Sequence, residues 1–89
     1  MPSISMFYGI VIYIYNMDNL KHSKPHIHVK YQDDYCVLSI PGCEILAGNI
    51  PSKKLNLVKA WISIHEEELM ANWDLAVNGD TPYKIEPLK

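Results

Sequence analysis

Three of the four histidines in this 89-residue chain fall within seven residues, His22-Ser23-Lys24-Pro25-His26-Ile27-His28. Imidazole has an ordinary pKa close to neutral pH and is also the commonest metal ligand. On an extended segment, His26 and His28 at i and i+2 place their side-chain bases about 7 Å apart on one face. That spacing suits three uses. Two imidazoles can hold a divalent ion such as zinc, manganese or iron, with His22 curling back as a third ligand and water in the fourth position. One neutral and one protonated imidazole can instead flank a phosphodiester as general base and general acid, with His26 and His28 as the catalytic pair. The plainest use is structural: hydrogen bonds that pin the Pro25 loop, or a contact with a partner.

Local charge favours an anion over a cation. Between Asn19 and Tyr31 the chain carries Lys21, Lys24 and Lys30 and no acid, although its net charge is −2. Lys24 and Lys30 can hold phosphate, with Tyr13 beside them, and Tyr13, Tyr15 and Tyr35 can stack on the bases of single-stranded RNA. Asp33, Asp34 and Glu44 oppose a polyanion on the same face. His65, between Ile62 and Leu69, reads as a core-edge histidine, and Trp61 and Trp73 as core anchors. Glu66-Glu67-Glu68 reads as a solvated helix face. The chain contains no phosphate-binding glycine loop and no nucleophile elbow.

These groups need a scaffold, and the length allows one domain spanning residues 1–89. A hydrophobic fraction of 48% is ample for a folded core. Phe7 to Tyr15, rich in Ile, Val and Tyr, is expected to be one strand that is apolar on both faces. His26–Gln32, Tyr35–Ile40 and Glu44–Ala47 follow as strands, turning at Asp33-Asp34 and Pro41-Gly42. In that register one face reads Ile27, Val29, Tyr31, Cys36, Leu38, Ile40, Cys43, Ile45 and Ala47. The other reads His26, His28, Lys30, Gln32, Tyr35, Val37, Ser39, Glu44 and Leu46. A one-residue slip would exchange the faces of a whole strand, so the clean separation supports the register.

From Ser52, a suitable N-cap, to Val77, apolar residues recur at helical spacing, with Asn78-Gly79 as the stop. The length of this stretch suggests one long helix, bent or split near His65. The expected fold is α+β: an antiparallel sheet of about four strands with the C-terminal helix over the Ile27/Leu38/Ile45 face, and the tail from Tyr83 adding an extended segment. His26 and His28 then stand on the uncovered side. Cys36 and Cys43 fall apart in this register and are expected as unpaired thiols in a reducing compartment. With no basic leader and an apolar run far too short to span a bilayer, the chain is expected to be cytoplasmic, with no membrane association.

With Met1-Pro2-Ser3-Ile4-Ser5, Phe7-Tyr8-Gly9, His22-x-x-Pro25-His26-x-His28, Gly48-x-x-Pro51, Trp61, His65, Glu68-Leu69, Asn72-Trp73 and Ile85-Glu86-Pro87-Leu88, the chain resembles a small bacterial family known as domain of unknown function 4160. That family often carries Arg where this chain has Tyr13, and Pro where it has Lys24. The resemblance implies the toxin half of a type II toxin–antitoxin-like pair, covered by a small cognate antitoxin-like protein, with His22, His26 and His28 as the functional cluster. The leading expectation is therefore a toxin-like module whose histidine face contacts RNA or another target. The alternatives are a non-catalytic interaction or regulatory module, as a homodimer through the Tyr13/Val37/Leu46 surface, and a histidine-based metal-binding protein or hydrolase.

Overall fold

The computed structural model describes residues 3–15 and 24–89. Five strands, β1 (Ser3–Phe7), β2 (Ile10–Tyr13), β3 (His26–Tyr31), β4 (Asp34–Ser39) and β5 (Ile45–Asn49), form one antiparallel meander in chain order. Two helices follow, α1 (Ser52–Ile64) and α2 (Glu66–Val77), so the fold is α+β.

The fifth strand, β1, lies ahead of the expected Phe7–Tyr15 strand and takes only Phe7 from it. Tyr8 and Gly9 both take positive φ, 50° and 77°, and turn the chain from β1 into β2. A two-residue turn with both central residues in this region matches the natural twist of the strands it joins. Gly9 meets that demand without strain, and the ring of Tyr31 lies 3.3 Å from where its Cβ would stand.

The β3–β4 turn is Gln32-Asp33, with Gln32 at φ 53°, rather than Asp33-Asp34. Each cross-strand partner therefore moves by two residues: Ile27 pairs Leu38 and Val29 pairs Cys36. An even shift keeps every side chain on its expected face, because side chains alternate with period two. On β5 the outcome differs. Leu38 pairs Ile45 as expected, but a bulge follows and Ala47 comes opposite Val37 instead of Cys36. Gly48, at φ 68°, takes the place beside Cys36, and a Cβ there would lie 2.2 Å from the Tyr35 carbonyl oxygen. Cys36 and Cys43 are both free thiols.

The helical stretch divides at His65, whose φ of −115° leaves the helical range. Its N–H still bonds back to Trp61 and Ile62, and its carbonyl accepts from Leu69, so one helix ends and the next begins on this residue. Glu66, Glu67 and Glu68 occupy the first turn of α2, where negative charge complements the helix dipole. Ser52 is the first residue of α1 rather than its cap; Pro51 holds the cap position, and its carbonyl accepts from Lys54 and Leu55.

Leu55, Val58, Trp61, Ile62, Leu69 and Trp73 from the helices join Ile10, Ile12, Ile27, Val29, Cys36 and Leu38 from the sheet in one buried core. The cover stops short of β5, where Ile45 is 46% exposed. The C-terminal segment is tied down along β1: the Ile85 N–H donates to the Ile4 carbonyl, and the Trp61 Nε1–H to the Glu86 carbonyl. Asn72, fully buried, both donates to the Tyr83 carbonyl and accepts from the Tyr83 N–H. No helix among the described residues is long and apolar enough to cross a membrane.

Candidate functional site

Register defines a second sheet face, turned away from the core. Val11, Lys30, Tyr35 and Asn49 form one cross-strand row on it, and Tyr13, His28, Val37 and Ala47 the next. The central strands thus place His28 in the middle of the sheet, with Tyr13 directly opposite on β2 and Tyr35 diagonally across on β4. Diagonal neighbours on one face lie within reach of long aromatic side chains.

The rings use that reach. Tyr15 lies against His28 with centroids 4.2 Å apart, and Tyr13 stacks on Tyr15 at 6.3 Å with an interplanar angle of 14°. The Tyr35 ring lies 5.9 Å from His28 on the other side, and its hydroxyl meets His28 Nδ1 at 2.5 Å. Four aromatic rings therefore form a continuous cluster on this face. Tyr13 and Tyr15 are half-buried, Tyr35 is 43% exposed, and Lys30 is exposed beside them.

The histidines are placed together but not presented to solvent. The His26 and His28 rings meet edge to face at 5.2 Å, which agrees with their i, i+2 placement on one face of β3. His28 is only 6% exposed and His26 is fully buried. His26 also contacts Trp73 of α2 at 4.8 Å, so it does not stand clear of the helices as the alternation of β3 suggested. The cause is that Trp73 reaches the start of β3, which strand periodicity cannot reveal. His26 Nδ1 lies 2.7 Å from the Lys24 carbonyl, which can only accept, so the Nδ1 proton is on His26 and its ring pins the loop around Pro25.

The expected anion contacts separate. Lys24 is engaged with Glu44 at 3.1 Å, an exposed pair in which each charge offsets the other. Lys30 is the lysine that remains on the aromatic face. His22, the proposed third metal ligand, and Lys21 lie outside the described residues. Among the described residues no group of three or more His, Cys, Asp or Glu side chains could hold a metal ion. Burial pushes the Cys36 thiol up to about 11, and raises that of Cys43 as well, so neither is an activated nucleophile.

A second constellation lies at the helix break. His65 Nδ1 donates to Glu68 Oε1 at 2.6 Å while its ring rests on Trp61 at 5.5 Å. Two shallow grooves meet at His65, one of about 290 Å³ toward Ser63 and Glu66–Glu68, the other of about 310 Å³ toward Glu86–Lys89. The i, i+3 spacing of His65 and Glu68 carries this contact in the sequence, but the tail that walls the second groove is not readable from local pattern.

Fold and face together describe a small domain with one side of its sheet packed under helices and the other bearing an aromatic–histidine cluster. Residues 9–74 match the family described as Domain of unknown function (DUF4160), and the chain belongs to that family. No curated protein and no solved structure matches it significantly.

Proposed function

We propose that this protein is the toxin component of a type II toxin–antitoxin-like module, acting through its outer sheet face on single-stranded RNA. The supporting observation is the four-ring cluster of Tyr13, Tyr15, His28 and Tyr35 beside the exposed Lys30. Exposed ring faces stack on unpaired bases at about 1–3 kcal/mol per base, and a lysine adjacent to them holds phosphate. The sheet sets the ring spacing, so the face is preorganised and binding needs little ordering.

Burial changes the chemistry assigned to the histidines. His26, sealed against Trp73 and bonded to Lys24, is a positioning residue for the Pro25 loop. His28 shares a hydrogen bond with Tyr35, whose exposed ring carries that link to the surface. Any proton exchange with bound RNA therefore passes through the His28–Tyr35 pair, and not between His26 and His28. Masking of this face by a small cognate protein supplies the control such a module requires.

A non-catalytic protein-interaction module is the second reading, favoured by the near-complete burial of both imidazoles and the neutralisation of Lys24 by Glu44. Induced expression in a bacterial host separates the two. The proposal expects growth arrest that is relieved by Lys30→Ala/Tyr35→Ala and by co-expression of the small cognate antitoxin-like protein. Normal growth on induction, with the protein folded and abundant, contradicts it.

A further inference from the structure

The two edges of the sheet are treated differently. Along β1, the Ile85 N–H donates to the Ile4 carbonyl at 2.7 Å and Lys84 Nζ bonds the Ser3 hydroxyl at 3.0 Å, so the C-terminal segment occupies that edge. Along β5, every strand pairing is to β4, and among the described residues no backbone group bonds its outer side. The strand Ile45–Asn49 carries no charge and no proline, and Ile45, Ala47, Gly48 and Asn49 are exposed. Proteins ordinarily protect a free edge with lysine, proline or a cover, because its unpaired N–H and C=O groups template another strand.

We infer that β5 is a homodimerisation edge, pairing antiparallel with β5 of a second copy to give one continuous ten-stranded sheet across two chains. Three features select a second copy over other strands. The strand is uncharged, so apposing it to itself brings no like charges together. The flanking Glu44 of each copy is already offset by its own Lys24, and an antiparallel joint holds the two Glu44 at opposite ends, so the flanks add no repulsion. The tail on β1 prevents β5 of one copy from joining β1 of the next, which would otherwise propagate a fibre; only the closed two-fold arrangement remains. The bulge after Ile45 shortens the regular stretch, making the joint short and the dimer concentration-dependent.

Light scattering coupled to size exclusion, from micromolar to near-millimolar protein, tests this together with amide exchange. The inference expects a monomer–dimer equilibrium in the full-length chain, with amides of residues 45–49 gaining protection as concentration rises. Ala47→Lys, which places one lysine of each copy at the joint, should weaken the dimer about tenfold or more. Ala47→Thr, neutral and suited to a strand, should retain it, and circular dichroism checks that both variants fold. A wild type that stays monomeric overturns the inference, whether its β5 amides exchange freely or are protected only by a different protein. A dimer that survives Ala47→Lys unchanged overturns it too.

Discussion

His26 of β3 and Trp73 of α2 are in ring contact, with centroids 4.8 Å apart and planes inclined at 56°. The pair joins the start of the central strand to the second helix, and both residues are buried. Trp73→Ala should therefore cost about 3–5 kcal/mol of stability, as for other buried aromatic truncations. His26→Phe keeps the ring but loses the hydrogen bond to Lys24, and should cost about 1 kcal/mol. Urea denaturation of the two variants gives both values, and an unchanged midpoint for Trp73→Ala would disprove the contact.

Ser5 Oγ is buried and has no hydrogen-bond partner among the described residues. A hydroxyl in that state is a standing cost, so removing it should leave stability unchanged or raise it by up to about 1 kcal/mol. Thermal melting of Ser5→Ala checks this; a marked loss would mean that the hydroxyl is satisfied.

Gly48 and Gly79 both take positive φ, 68° and 83°, but their surroundings differ. Nothing lies within 4 Å of a Cβ at Gly79, so Gly79→Ala carries the backbone penalty alone, about 1 kcal/mol. At Gly48 the added Cβ meets backbone at 2.2 Å and β4 or β5 must move. Gly48→Ala should exceed Gly79→Ala by at least about 1–3 kcal/mol in the same denaturation assay.

Burial holds the Cys36 thiol protonated, its pKa raised from 9.0 to about 11. Above pH 9 the unfolded chain releases that proton while the folded chain keeps it, so stability falls as pH rises from about 9 to about 11. Below pH 9 both states hold the proton and Cys36 contributes no slope. Melting temperatures across this window should decline less steeply in Cys36→Ala than in the native sequence, and native Cys36 should resist alkylation at pH 8. Equal slopes would show that the thiol is not desolvated.

The inward face of the sheet was legible because period-two alternation survives an even register shift: Ile27, Val29, Cys36 and Leu38 are all in the core. The Tyr8-Gly9 hairpin was not, because a run of β-branched and aromatic residues hides a turn whose only local mark is one glycine. The bulge on β5 was missed for a related reason, since Gly48 signals it only once its partner strand is known. In the candidate site, the adjacency of His26 and His28 followed from i, i+2 spacing, whereas the His65–Glu68 contact was missed, since Glu68 read as part of a solvated face although its i, i+3 spacing permits the contact. The burial of His26 and His28 did not follow, because it depends on Trp73, Tyr15 and Tyr35, which arrive from other parts of the chain.

Binding of single-stranded RNA at the outer face is what we propose, and an anisotropy titration of a labelled oligonucleotide tests it most directly. Wild-type protein should bind with an affinity that falls as salt rises, and Lys30→Ala/Tyr35→Ala, both exposed positions, should bind at least about tenfold more weakly while folding normally. Absence of binding by the wild type, or equal binding by the double variant, would contradict the account.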